Sequence, residues 1–258
     1  MCCFTELVEK VSDTSIFARI VRGNRQIVVY SMSYAAKQEL AMVLPIPVTA
    51  DAPEDAVRFI DLEDCPGFFA QMRDGFLQPD RITLGGDDLG AVITEKRTLR
   101  VHDVGAFEAS FVPTPADFGR LDARFRLPVP IWLHLNHYRD WGFAVFKLKP
   151  TALARVHPMA FEFPTRDAAR LFFPTLHLHG KALEARAEFD HTLYCQPEPA
   201  MSWHLESWRD SEGPASEFML CEAGRALVDL DFPCWKLDIE GLRENRDTWV
   251  GAGEVPPR

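Results

Sequence analysis

The sequence lacks the marks of several large protein classes. It has no apolar run of the roughly 20 residues that a bilayer-spanning helix needs. Its first 20 residues hold Glu6, Glu9, Lys10 and Asp13, and no apolar stretch of the kind that directs export. There is no basic stripe. The 28 Lys and Arg are outnumbered by 38 Asp and Glu, for a formal net charge of −10. A polyanion is therefore a poor partner, which argues against nucleic acid and against an anionic membrane surface. No GxGxxG, P-loop or GxSxG element occurs, so dinucleotide, nucleotide and α/β-hydrolase chemistry lack support. The six cysteines include no CxxC pair, which removes zinc knuckles and thioredoxin-type sites. These absences lead to the expectation of a soluble, cytoplasmic protein with reduced cysteines, bound to neither nucleic acid nor membrane.

What is present is a chain of 258 residues, 47% of them hydrophobic, enough for a sizeable core. Strand signals dominate. Ser15 to Val21 and Gln26 to Met32 are joined through Gly23-Asn24, which suits the positive φ values of a tight hairpin turn. Leu40 to Val48 follows, and Pro45 and Pro47 fit only a strand edge or end. Asp64-Cys65-Pro66 reads as a helix start with Asp64 as its cap. Leu77 to Gly90 reads as a long polar loop, in which the acidic pair Asp87-Asp88 lacks the spacing of a calcium loop. Leu99 to Val112 resumes strand character, and Thr114-Pro115-Ala116-Asp117 starts a second helix. Gly142 to Lys149, His157 to Phe163, Leu171 to His179 and Ala187 to Cys195 alternate like strands. Gly180 to Arg186 is expected to join the last two as a hairpin loop. Helical patterns appear at Ala215 to Leu227 and Asp238 to Glu244. The expected fold is mainly β or α+β, with antiparallel sheets, a few short helices and an irregular C-terminal extension. Residues 1–196 would form the β-rich domain, with 197–258 packed on it.

Two clusters carry candidate chemistry. The first is the start, Met1-Cys2-Cys3-Phe4. Cys2 is small enough for the initiator methionine to be removed, which would free a thiol beside an α-amine that can act as its base. It would otherwise be a ligand or a buried small residue. The second is His177-Leu178-His179. Period-two alternation puts both imidazoles on one face, with Leu176 and Leu178 on the core side. Across the expected hairpin lie Glu188 and Asp190 on one face, and His191 with Phe189, Leu193 and Cys195 on the other. His177, His179 and one carboxylate would meet across that hairpin, and two histidines with a carboxylate suit Zn²⁺ or non-haem iron; His177, His179 and His191 are the candidate metal ligands. A one-residue slip would move each candidate to the wrong face. His134 and His137 fall in a loop or short helical turn, as distal ligands or as structural residues. Trp203, His204 and Trp208 would line a groove or pack in a core.

Several stretches resemble a bacterial family catalogued as domain of unknown function 2330. They are Cys2-Cys3-Phe4, Met42-Val43-Leu44-Pro45-Ile46-Pro47, Val101-His102-Asp103-Val104-Gly105-Ala106-Phe107 with Pro115 to Leu121 after it, Trp141 to Lys149, and Arg170-Leu171-Phe172-Phe173-Pro174. The resemblance spans roughly residues 1–180 and implies a β-rich fold, with no activity, cofactor or catalytic residue to transfer. The Met-Cys start is also similar to the cysteine branch of N-terminal nucleophile hydrolases, such as bile-salt and penicillin V acylases. That resemblance implies cleavage of a C–N amide bond by Cys2 with Arg19 orienting the substrate. Those enzymes follow the arginine with Asn or Asp within two residues, where this chain has Ile20 and Val21. The leading expectation is a binding or accessory module for a small molecule or a protein, with a candidate divalent-metal site. The alternative is the cysteine hydrolase.

Overall fold

Residues 10–36 set the frame. β2 (Lys10–Val21) and β3 (Arg25–Ala36) pair antiparallel from Val21↔Arg25 to Lys10↔Ala35. The turn between them holds Gly23 at φ 79° and Asn24 at φ 56°, the left-handed geometry that Gly-Asn accommodates. Asp13, at φ 55°, marks a register shift between Ser12 and Ser15. The structure is a computed structural model that describes residues 2–5, 8–49, 51–76, 101–104, 107–121, 126, 136–178, 183–197, 205 and 207–251. The expected loop at 77–90 lies outside them.

The fold is mainly β, with antiparallel pairing predominant, as the alternation predicts. One sheet runs β14 (Arg209–Asp210), β15 (Trp235–Glu244), β13 (Arg186–Gln196), β2, β3, β10 (Met159–Pro164) and β5 (Arg58–Ile60), with β9 (Thr151–Arg155) also on β3. The other runs β12 (His177–Leu178), β1 (Cys2–Phe4), β4 (Leu40–Ile46), β8 (Gly142–Leu148), β7 (Phe107–Val112) and β6 (Val101–Val104). A small third sheet pairs β11 (Arg170–Phe173) with β16 (Thr248–Gly251).

Three cores follow from the period-two alternation. Between the large sheets lie Ile16, Ala18, Ile20, Met42, Leu44, Phe146, Phe161 and Leu193. The outer face of the six-stranded sheet buries Val43, Val145, Phe143, Leu176 and Leu178 with Tyr138. The outer face of the eight-stranded sheet buries Phe17, Val29 and Tyr194 under α1 (Phe68–Asp74) and the segment around Phe218, Met219 and Leu227. Being covered on both faces explains why β3 reads as an almost continuous buried run.

Several expectations are corrected. The hairpin joining 171–179 to 187–195 does not form. Pro174 follows β11, and His177–Leu178 is taken as a parallel partner by β1 at the edge of one sheet. β13 instead pairs parallel with β2 and antiparallel with β15 in the other sheet. Asp238 to Glu244 is strand, not helix: Leu237 and Ile239 alternate onto the inter-sheet core, and Gly241 at φ 76° interrupts a helical reading. The first helix starts at Phe68 after a turn through Cys65, so Gly67 rather than Asp64 sits at its N-cap. Pro115–Arg120 is a 3₁₀ helix preceded by Thr114, whose hydroxyl donates to Asp117 at 2.8 Å.

The expectation of six reduced cysteines is also overturned. Cys65 and Cys221 form a disulfide across 156 residues of sequence, with Cα atoms 5.7 Å apart. It ties the turn before α1 to the segment that covers the same core. Gln71 Oε1 reinforces the tie by accepting from the Leu220 and Cys221 amides at 2.7 and 3.1 Å. Cys195 and Cys234 are free and buried, and burial pushes both thiols up, so neither offers a thiolate.

Two predictions follow from these ties. Closing so long a loop stabilises by about 2–5 kcal/mol. Reductant should therefore lower the Tm of the native chain and leave that of a Cys65→Ser, Cys221→Ser double variant unchanged. Glu162 accepts from both Arg25 and Arg58. Burial pushes its carboxyl up, but hydrogen bonds and charges from Arg58 and Arg25 outweigh that and hold it below its usual range. A depressed carboxyl contributes stability that is present above its unfolded pKa, about 4.3, and lost as pH falls below it. Glu162→Gln should lower stability at neutral pH and flatten its decline in acid, read by urea titration at several pH values.

Candidate functional site

The site is built on a strand of two residues, so the surrounding side chains position it. Asn245 acts as a false strand partner: its Oδ1 accepts from the His177 amide at 2.7 Å, and its Nδ2 donates to the His177 carbonyl at 2.8 Å and the Glu184 carbonyl at 2.9 Å. Asp247 Oδ1 accepts from the Leu176 amide at 3.0 Å, and its other oxygen accepts from the Tyr138 hydroxyl. Thr175 donates to the Arg246 carbonyl at 3.0 Å and bonds the Thr248 hydroxyl at 2.8 Å. Trp249 packs on Phe172 in a tilted arrangement, with centroids 4.9 Å apart, and Trp141 meets both rings edge-on. Residues 245–249 thus clamp 172–177 before the chain reaches β12.

Held this way, His177 faces His191 across the gap between the two sheets. Their Nε2 atoms are 3.3 Å apart and their ring centroids 4.8 Å. Phe189 packs on both, at 4.4 and 5.1 Å between centroids. His191 is 1% exposed, while His177 is half-buried, so the pair has one closed and one open side. Asp190 Oδ1 lies 4.0 Å from His191 Nδ1, the other ring nitrogen. That separation is beyond hydrogen-bond range. Burial pushes the Asp190 carboxyl up, partly countered by the Asp13 amide that donates to it at 2.9 Å.

The 3.3 Å separation has a chemical meaning. At that separation the two rings are within hydrogen-bond reach, one Nε2 donating and the other accepting. Two imidazoles on a tetrahedral zinc, with Zn–N bonds of about 2.0–2.1 Å, hold their nitrogens roughly 3.3–3.4 Å apart. The pair is already at the spacing of two metal ligands. Among the described residues no group of three or more His, Cys, Asp or Glu side chains completes a metal site.

The other expected site residues are placed as follows. Cys2 occupies the register position beside His177 in the parallel β1–β12 ladder. His179 and His134 lie outside the described residues, as do Trp203 and His204. His137 sits in the 3₁₀ turn Asn136–Tyr138 beside Tyr138; burial pushes its imidazole down, against the opposing charge of Asp247. Trp208 packs on Phe173. Arg19 shares the outer face of the eight-stranded sheet with Phe17 and Val21, and its guanidinium pairs with Asp229 at 2.9 Å. The structure therefore brings His177 and His191 together beside the Cys2 register position, and leaves Arg19 on the outer face of the eight-stranded sheet. Sequence reasoning missed Asn245 and Asp247. Their only local signal is a run of polar residues, Glu244-Asn245-Arg246-Asp247-Thr248, between two strands.

No protein-family model matches the chain, and no curated protein matches it. Among solved structures it is similar to baculovirus P35, at 11% identity and a TM-score of 0.47, covering 97% of this chain and 99% of that one. A caspase-8/P35 complex gives 9% identity and 0.46, covering 93% and 96%. A mutated baculovirus P35 after caspase cleavage gives 11% and 0.43, covering 93% and 99%. At these scores the likenesses assign neither fold nor activity to this chain.

The clamp is testable by itself. Asn245→Ala leaves the His177 amide and carbonyl without their side-chain partner, at a cost of about 1–3 kcal/mol. The urea midpoint should fall accordingly, and the His177 amide should exchange with deuterium faster than in the native chain.

Proposed function

We propose that this chain is a binding protein rather than an enzyme, and that its site is a divalent-metal site on His177 and His191. The carrying observation is the 3.3 Å separation of the two Nε2 atoms between the sheets. Zinc fits best among common metals, because it accepts imidazole donors in tetrahedral geometry and imposes no geometry of its own. The buried side, formed by His191 and Phe189, fixes one ligand. The half-buried His177 gives the ion a way in and leaves room for a small molecule or a protein side chain to complete the coordination.

A second reading has one observation in its favour. It is the cysteine hydrolase acting on a C–N amide bond, and the backbone register Cys2↔His177, which sets a histidine beside the terminal cysteine position, supports it. Retention of Met1 in intact-mass analysis of the natively expressed chain would remove its α-amine mechanism.

Metal binding stabilises the folded chain by mass action. Zinc at about 100 times its Kd adds about 2.7 kcal/mol, which for a chain this size raises Tm by roughly 5–10 °C. His177→Ala should abolish that shift while the metal-free protein remains folded. Acidification should reverse it, because both imidazoles must be neutral to bind. An equal zinc shift in the variant, or none in the native chain, would overturn the metal reading.

A further inference from the structure

A metal on two neutral imidazoles keeps both of its positive charges, and among the described residues no third His, Cys, Asp or Glu side chain completes the group. We propose that the Thr14 hydroxyl belongs to this site and donates a hydrogen bond to a small carboxylate bound on the metal. One carboxylate oxygen takes the metal and the other takes the hydroxyl. This rests on the metal reading of His177 and His191.

Thr14 is placed by β2 and β13. In their parallel ladder it is the Cα partner of His191, and the next pairs are Ser15 with Thr192 and Ile16 with Leu193. Partners on adjacent strands share a face, about 4.7–4.9 Å apart. Ile16 and Ala18 on one strand, and Leu193 and Cys195 on the other, lie in the core between the sheets. Alternation therefore places Thr14 beside His191 at the end of the same inner row. Just before it the chain turns left-handed at Asp13, φ 55°, where the β2–β3 register shifts. The Asp13 amide turns toward β13 and donates to Asp190 Oδ2 at 2.9 Å. A bulge of this kind re-aims the side chain next to it. Thr14 and His191 are each 1% exposed.

The hydroxyl at this position is left over. Thr14 Oγ1 is buried and makes no hydrogen bond. An unpaired buried hydroxyl is costly, and valine has the same shape without that cost. The rest of the β2 row, Ile16, Ala18 and Ile20, is apolar. A donor kept at the one point of the row beside the histidine pair calls for an acceptor that comes from outside. Hydroxyls bond most strongly to ionised oxygen. A carboxylate supplies that oxygen, offsets one of the metal's charges and has a second oxygen for the metal. A neutral ligand leaves the charge standing, and a thiolate is a weak acceptor. The carboxylate replaces water on the metal, with no change of oxidation state. It has to be small, because Thr14 and His191 are closed from solvent and the way in passes the half-buried His177.

The test is calorimetric titration of acetate into the zinc-loaded full chain, in parallel with Thr14→Val and Thr14→Ser. Valine keeps the shape and removes the donor, and serine keeps the donor. Zinc alone should bind all three chains alike. Acetate should bind the native chain and Thr14→Ser, and bind Thr14→Val about tenfold or more weakly, the loss of one hydrogen bond to a charged acceptor. The metal-free Thr14→Val chain should melt no lower than the native one, since its hydroxyl has no bond to lose. Equal acetate binding by Thr14→Val, or none by the zinc-loaded native chain, would overturn the carboxylate site and spare the metal site. So would an equal loss in Thr14→Ser. A marked fall in the Tm of metal-free Thr14→Val would reveal a structural bond at Oγ1 and overturn the proposal as well. A native chain that takes up no zinc would overturn both readings.

Discussion

The structure depends on burying β2 and β3 on both faces. Their inner residues, Ile16, Ala18, Val28 and Tyr30, require the six-stranded sheet as a lid. Their outer residues, Phe17, Ile27 and Val29, require α1 and the segment around Phe218 and Leu227. A sheet covered on one side alone would leave one of these rows in water, so the eight-stranded sheet needs both covers. The Cys65–Cys221 bond holds the outer cover, and β13 completes the inner row through Leu193 and Cys195. His191 belongs to that same inner row, so the core that fixes the fold also fixes one imidazole.

The partner imidazole is fixed differently. β12 is two residues long and lies at a sheet edge, too short to be held by ladder hydrogen bonds alone. Asn245, Asp247 and Thr248 supply the missing bonds from a neighbouring segment, and the Trp141, Phe172 and Trp249 rings pin that segment in turn. The two halves of the site thus differ in stability. His191 shares the global stability of the core, whereas His177 shares that of a polar clamp near the surface. A rigid ligand facing a more yielding one is a workable arrangement for capturing an ion from solution.

Local pattern carried the fold as far as local physics reaches. The Gly23-Asn24 turn, the flanking strands, β8 and β13 were legible because alternation and turn chemistry act within a few residues. The faces of Leu176, Leu178 and His191 were legible for the same reason. What was hidden depends on distant partners. Nothing near His177 announces that its strand neighbour is Cys2, and nothing near Cys65 announces Cys221. The 171–195 stretch looked like a hairpin because two alternating segments flank a short connection. The competing pairings with β1 and β2 won because each buries an apolar face that a hairpin would leave exposed. Asp238 to Glu244 misled because its charges suit a helix surface, yet they lie on the solvent side of a strand whose other side packs on the core.

The proposed sharing of a metal by His177 and His191 is tested most directly by diffraction at the zinc absorption edge. Crystals grown with equimolar zinc should show one anomalous peak at about 2.0–2.1 Å from both Nε2 atoms. Two rings joined by a direct hydrogen bond, with no anomalous peak between them, would contradict the account.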